Sequence, residues 1–292
     1  MNHYLLSILL GIVEGLTEFL PVSSTAHLRI VEALLGIDLS NGFWKMYSIV
    51  IQLGAILCLP IYFWSRISGF LRTFPRGERG DRTWRNHPLT LVMIAFVVTA
   101  IPAWLLNKKI GANLERLDVI GWSLLIGGIV MWIVDARFGH PPAGGHFRTE
   151  NMEEMSVGQA VWIGICQITS AVFPGTSRSM STITAGQLAG MSRPAALEFS
   201  FFVSMPTMAA ATLYTLFKTL HPKHGEPLGH MPVNSEEWLV LIIGFVISFV
   251  VALVVVAWFM NWVRQRGFTP FAIYRIVLGI AVLVWVMKGY AQ

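Results

Sequence analysis

The chain has 292 residues, 54% of them hydrophobic and 13% charged, with a formal net charge of +5. Soluble domains carry about 25% charged residues, so roughly half of the usual solvated surface is missing and a soluble globular fold is excluded. The positive balance does not point to nucleic acid, because most of it falls in one loop.

The first apolar stretch, Leu5–Leu20, has no basic leader, and Glu14 and Glu18 interrupt it. It is therefore expected to persist in the mature protein rather than to act as a cleaved secretory signal. Six later runs approach or exceed the ~20 residues that cross a bilayer. They are Tyr47–Trp64, Leu89–Leu106, Val119–Val134, Leu197–Phe217, Trp238–Trp262 and Phe271–Met287. Between the first two, Ser65–His87 holds Arg66, Arg72, Arg76, Arg79, Arg82 and Arg85 against Glu78 and Asp81, six minus two or +4. The positive-inside rule puts this basic loop, about 65–87, in the cytoplasm, where it also meets anionic lipid headgroups. Leu220–Glu237, with Lys223 against Glu226, Glu236 and Glu237, suits the opposite side, and Arg264 and Arg266 return the chain inside. Asp135–Glu154 is kept inside although acidic residues outnumber Arg137 and Arg148, because acids weigh little in the rule. Cys58 and Cys166 lie in apolar segments, so no disulfide or metal framework is expected. His221, His224 and His230 read as a solvated loop rather than a metal site.

A shift of 153 residues lays GIVEGLTEFLPVSSTAH over GICQITSAVFPGTSRSM. Gly11 then meets Gly164, Glu14 meets Gln167, Pro21 meets Pro174 and Ser24 meets Ser177. The whole chain, 1–292, is expected to form one all-α polytopic membrane domain of two inverted-topology repeats, about 1–136 and 157–292. Each repeat contains a re-entrant helical hairpin broken at proline, and about six full transmembrane helices complete the fold. Proline removes a backbone donor and clashes with the preceding turn, so helices stop before Pro21 and Pro174. Ser23 or Ser24, and Thr176 or Ser177, cap the helices that resume. Broken backbone at this depth survives only inside protein or along a wet cavity, so the breaks predict a cavity near the midplane.

Glu14, Glu18 and Arg178 would together cost on the order of 8–10 kcal/mol if left unpaired in lipid, comparable to the stability of a domain. They must pair, meet water or bind a ligand. An Glu18–Arg178 bridge that only locks the hairpins would leave the hydroxyls and prolines unexplained. Glu14 and Glu18 share one helix face and suit either a proton carrier or a divalent cation, Mg²⁺ or Ca²⁺. His27, one turn beyond Ser24, is a candidate general acid or base rather than a merely satisfied core histidine. In PGTSRSMST, Gly175 frees the backbone at the break, and Arg178 adds a guanidinium to a helix N-terminus, an arrangement suited to phosphate. Together the halves present the equipment for phosphate hydrolysis, where positioning and charge neutralisation dominate. A phosphate site within lipid suggests a substrate with a greasy tail. A transporter or lipid flippase is the principal alternative, since paired broken helices are a transporter architecture. An intramembrane serine protease is disfavoured, because a guanidinium clamp is poor equipment for peptide carbonyls.

EGLTEFLPVSSTAHL and PGTSRSMST resemble the two signature motifs of the bacterial undecaprenyl-diphosphate phosphatase family of the bacitracin-resistance type. The likeness extends through QLGAIL at Gln52–Leu57 and EFSFFVSMP at Glu198–Pro206, with Ala26 where many relatives have Gly. The resemblance implies hydrolysis of undecaprenyl diphosphate to undecaprenyl phosphate and phosphate. This recycles the lipid carrier of peptidoglycan synthesis in the bacterial inner membrane and confers bacitracin resistance. It also implies a site open to the periplasmic side, with functional positions at Glu14, Glu18, Ser24, His27, Ser177, Arg178 and Thr182. On this reading Arg178 grips the diphosphate, supported by Ser23, Gly175, Thr176, Ser177, Ser179 and Thr182. Ser24 is nucleophile or phosphate ligand, and His27 moves a proton. Glu14 and Glu18 orient His27, activate water or hold Mg²⁺ or Ca²⁺. The partners are the polyprenyl diphosphate substrate and membrane lipids, with no organic cofactor; a homodimer is left open.

Overall fold

In the computed structural model, residues 2–37, 42–77, 80, 82–106, 116–142, 144–221 and 229–289 are described. Glu78, Arg79, Asp81, Lys223 and Glu226, used above to orient the loops, and His224, read above as part of a solvated loop, lie outside them. The described residues form eleven α-helices: α1 (His3–Thr17), α2 (Ser24–Leu34), α3 (Gly42–Tyr62), α4 (Trp64–Thr73), α5 (Pro88–Leu105), α6 (Leu117–Phe138), α7 (Val157–Val172), α8 (Arg178–Leu188), α9 (Arg193–Leu220), α10 (Ser235–Arg266) and α11 (Thr269–Met287). Six of them, α3, α5, α6, α9, α10 and α11, are long and apolar enough to cross a membrane. They fall on the six predicted runs: all six begin earlier than predicted, by one to five residues, and α3 and α5 end two and one residues sooner. Asn234 caps α10 by accepting from the Glu237 amide, and Ser192 caps α9 by accepting from the Ala195 amide.

α1 and α7 are different. At 15 and 16 residues they are apolar but short. At about 1.5 Å per residue they reach about 22–24 Å, less than the ~30 Å hydrocarbon core. Each is followed by a break and a second short helix, α2 or α8.

These short helices are buried by exchange between the halves. α1 lies on α10 and α7 lies on α5. Both contacts are close enough to demand glycine. A Cβ on Gly11 would sit 2.8 Å from the Gly244 carbonyl oxygen, and one on Gly15 would sit 2.7 Å from that of Ser248. A Cβ on Gly164 would sit 2.8 Å from the Ala95 carbonyl oxygen. Gly11 and Gly164, which the 153-residue shift superposes, thus play one role in two places.

The shift does not hold throughout. The caps that restart the helices are Ser23 and Ser177, 154 residues apart, not Ser24 and Ser177. The second half carries one extra residue between its buried polar position and its cap. Gln167 to Ser177 is ten steps, whereas Glu14 to Ser23 is nine. Ser24 therefore corresponds in place to Arg178, both being the first residue of a restarted helix.

Asp135, counted above among loop charges, belongs to the last turn of α6 and is fully buried. It accepts from Gln187 Nε2 at 3.0 Å, Arg193 Nε at 2.7 Å, the Phe268 amide at 3.0 Å and the Thr269 hydroxyl at 3.1 Å. One carboxylate thereby ties α6 to α8, α9 and the start of α11. At the same end of the molecule, Arg66 of α4 bridges Glu198 of α9 and Glu153 of a short 3₁₀ turn, Met152–Glu154. Burial alone pushes the Glu153 carboxyl upward, but the hydrogen bond and charge of Arg66 outweigh it and hold the group below its ordinary value.

Two outcomes follow for detergent-solubilised protein. Gly15→Ala must push α1 off α10, and overpacking of this kind costs about 1–3 kcal/mol, so the thermal unfolding midpoint falls by several degrees. An unchanged midpoint would show that α1 is not held by this contact. A carboxylate depressed in the folded state stabilises above its unfolded pKa and loses that contribution as pH falls through the lower folded value. Glu153→Gln is therefore less stable than wild type at pH 7, and the two midpoints draw together as pH falls below the ordinary glutamate value of about 4.3 and through the lower folded one.

Candidate functional site at the two helix breaks

Proline's ring clashes with the carbonyl four residues earlier. Pro21 accordingly ends α1 at Thr17, and the chain passes through Glu18–Val22 before restarting. In the second half, α7 ends at Val172, two residues before Pro174. Both restarts use a serine at positive φ, +74° at Ser23 and +71° at Ser177. A non-glycine residue held there costs on the order of 1–3 kcal/mol. Each serine offsets part of that cost by capping: Ser23 Oγ accepts from the Ala26 amide at 3.4 Å, and Ser177 Oγ accepts from the Met180 amide at 3.3 Å. Gly175, at φ +91°, supplies the remaining turn, packed against the Ile120 backbone where a side chain would collide.

The restarted helices point their N-termini at a shared cavity of about 110 Å³, lined by Glu18, Ser23 and Ser24 from one break and Gly175, Ser177 and Arg178 from the other. Gln52 of α3 and Met208 of α9 close its sides. Ligand pockets for whole small molecules run from about 300 Å³ upward, so this one is sized for a headgroup, not for a lipid.

Glu18 organises the cavity. Its Oε2 accepts from the Ser24 hydroxyl at 2.5 Å, and its Oε1 lies 3.3 Å from Arg178 Nη2. Arg178 also donates through Nη1 to the Ser200 carbonyl at 3.3 Å, and its guanidinium stands 5.8 Å from the centre of the Phe19 ring. Its Nε is buried and has no hydrogen-bond partner. The ion pair expected as a possible mere lock is thus present, but it is a single long contact that leaves donor capacity on the guanidinium. Two helix N-termini and one cation, facing one carboxylate that already holds a hydroxyl, favour an incoming anion.

Several residues assigned to the site from sequence lie outside the cavity lining. Glu14, one turn before Glu18, is fully buried, and neither of its oxygens has a hydrogen-bond partner. Thr182 points to α9, bonding the Ser200 hydroxyl at 2.7 Å and the Arg178 carbonyl at 3.0 Å. Ser179 is buried with an unpartnered hydroxyl, and Thr176, whose amide donates to the Phe173 carbonyl at 3.1 Å, is not part of the lining. His27 holds the Ser23 carbonyl and Tyr274 rather than Ser24. A run of hydroxyls on a helix is spread around its axis, so a contiguous motif cannot all face one cavity.

Arg275 was missed entirely. It is fully buried, and it donates to three backbone carbonyls at 3.1 Å: Pro21 through Nη1, and Ser123 and Gly175 through Nη2. One guanidinium therefore ties both breaks to α6. Gly127 leaves the room for it, since a Cβ there would collide with Nη2. The available signal was simple: Arg275 is a lone charge inside an apolar span, which alone marks a position as paired or functional.

Six helices long and apolar enough to cross a membrane, with two interrupted segments that share a polar cavity, define a multi-pass membrane protein. Residues 7–281 match the family described as "Bacitracin resistance protein BacA". This chain belongs to that family. It is 66% identical to an undecaprenyl-diphosphatase of Koribacter versatilis over 290 residues, covering 99% of this chain and all of the relative. It is 41% identical to an undecaprenyl-diphosphatase of Rhizobium etli over 288 residues, covering 98% of each. It is 38% identical to one of Caldanaerobacter subterraneus over 283 residues, covering 97% and 96% respectively.

Arg275→Met keeps the apolar stem and removes every donor. An unsatisfied buried polar group costs about 1–3 kcal/mol, so orphaning the Pro21 and Gly175 carbonyls should lower stability by about 2 kcal/mol or more, while the Ser123 carbonyl keeps its bond within α6. Arg275→Lys, with a compact three-donor ammonium, should recover only part of this. Thermal unfolding in detergent checks both; a wild-type midpoint for the methionine variant would show that the breaks hold themselves.

Proposed function

We propose that this protein is an integral membrane phosphatase that hydrolyses undecaprenyl diphosphate to undecaprenyl phosphate and inorganic phosphate. That reaction recycles the lipid carrier of cell-wall synthesis, and an abundance of the enzyme confers resistance to bacitracin. The observation that carries the reading is Glu18, which holds the Ser24 hydroxyl with one oxygen and the Arg178 guanidinium with the other. A nucleophile or water ligand and an anion clamp are thereby joined through the base they share.

The diphosphate end of the lipid enters between the N-termini of α2 and α8, and its oxygens take up the open donors of Arg178. Ser177 and the amides at the start of α8 assist. Phosphoryl transfer needs mainly positioning and neutralisation of the equatorial oxygens, and these groups supply both. Glu18 accepts the proton of Ser24 or of a water that Ser24 orients. The isoprenoid tail stays among the spans, which suits a cavity that holds only a headgroup. In a divalent-cation form, Glu14 and Glu18 would hold Mg²⁺ or Ca²⁺, and the ion would neutralise diphosphate charge. The unpartnered oxygens of Glu14 fit that role. The two carboxylates would need substrate oxygens to complete a six- to eight-oxygen shell, which is typical of Ca²⁺. We further place the basic loop in the cytoplasm and the cavity's opening on the periplasmic face of the inner membrane. In this arrangement α1–α2 and α7–α8 are re-entrant hairpins of two inverted repeats.

Purified protein in detergent, where no second leaflet exists, should release phosphate from undecaprenyl diphosphate. Arg178→Ala should lower kcat by about 100-fold or more, the range seen when a single charge-stabilising donor is removed. A phosphoserine trapped at Ser24 would assign the covalent route. A wild-type protein that releases no phosphate yet moves the lipid between leaflets would replace the phosphatase with a transporter.

A further inference from the structure

His27 sits in the first turn of α2, three residues after Ser24. Its Nδ1 lies 2.7 Å from the carbonyl oxygen of Ser23. A carbonyl can only accept, so Nδ1 carries hydrogen and the lone pair of the neutral ring is on Nε2. That nitrogen lies 2.6 Å from the hydroxyl of Tyr274, and the two rings stack at 5.6 Å with 11° between their planes. Both imidazole nitrogens are thus engaged, and neither faces the Ser24 hydroxyl, which Glu18 holds. Tyr274 is itself fixed, because its neighbour Arg275 grips the break that contains Ser23. One turn of α11 therefore sets both the backbone of the first break and the plane of its imidazole.

We propose that Tyr274 is a positioning residue that serves the reaction through His27. This rests on the reading of His27 as part of the phosphatase machinery. In the neutral ring the phenol donates to Nε2. When Nε2 gains a proton, the N–H donates to the phenol oxygen, which keeps its own hydrogen. The contact survives either protonation state and fixes the plane of the ring. His27, outside the cavity lining, then acts through the first turn of α2, where its Nδ1 holds the carbonyl of the Ser23 cap, and Glu18 is left to take the Ser24 proton.

The test is a double-mutant cycle on phosphate release from undecaprenyl diphosphate, with ¹⁵N-histidine spectra of the same proteins. Tyr274→Phe removes one oxygen and keeps the ring. It should lower kcat about threefold to tenfold, the worth of one hydrogen bond, with KM little changed. In a His27→Asn background it should cost nothing further, because coupled residues are not additive. The Nε2 resonance of His27 should move toward that of a ring nitrogen with no donor. An equal loss in both backgrounds would overturn the proposal in favour of plain packing. Wild-type kcat and an unmoved Nε2 resonance in Tyr274→Phe, beside a deficit in His27→Asn, would overturn it and leave the site reading intact. Wild-type kcat in His27→Asn would overturn both.

Discussion

Three backbone carbonyls converging on the guanidinium of Arg275 are the interaction on which the site depends. A helix interrupted inside the membrane exposes carbonyls and amides with no water to satisfy them. Caps deal with the amides on the restarting side. The carbonyls that the chain leaves behind need a donor from elsewhere, and a fork of five N–H groups can serve several at once. Arg275 grips Pro21 and Gly175, each three residues before the first residue of a restarted helix. The spacing between Ser24 and Arg178 is therefore set by a single side chain that touches neither. Burying a cation without a carboxylate beside it is costly, and the three carbonyl dipoles take the place of that carboxylate.

The same logic explains why both restarts tolerate strain. A glycine at position 23 or 177 would relax the positive φ but would lose the hydroxyl cap on Ala26 or Met180. Once Arg275 and the exchanged packing of α1 and α7 fix the flanking backbone, the serine conformation is over-determined. Strain is then compatible with a rigid site, and a site that reorganises little at the moment of reaction is what charge stabilisation of phosphoryl transfer requires.

What could be read in the sequence divides by physical type. The spans were legible because lipid enforces long apolar runs, and the breaks because proline acts locally on the four residues before it. Arg178 and Glu18 were legible as a pair because unpaired charge in lipid is too expensive to leave alone. The register of the second break was not, since one residue inserted in an irregular segment changes which serine caps without altering composition. Nor was the contact of His27 with Tyr274, across 247 residues, since no local pattern encodes it. The hydroxyls of PGTSRSMST were read as one set, whereas helical rotation sends Thr182 to α9 and leaves Ser177 at the cavity. Arg275 was within reach of the rule that flagged Arg178, but it stands apart from any motif and so escaped a motif-led reading.

The correspondence of Ser24 with Arg178 gives the two halves complementary tasks at one structural position. Each is the first residue of a helix whose amides face the cavity, and Glu18 holds both. On the proposed reading, anion capture and proton acceptance therefore meet at one carboxylate. While Arg178 leans on Glu18, an incoming phosphate competes with that carboxylate for the guanidinium. On the same reading, a phosphate that draws the guanidinium to itself frees the Glu18 oxygen that held it, while the other oxygen keeps the Ser24 hydroxyl. The long 3.3 Å contact suits this exchange better than a tight bidentate pair would, because little is lost when the anion replaces the carboxylate. Keeping the pair loose is in turn possible because Arg275, not Arg178, carries the mechanical load of the breaks.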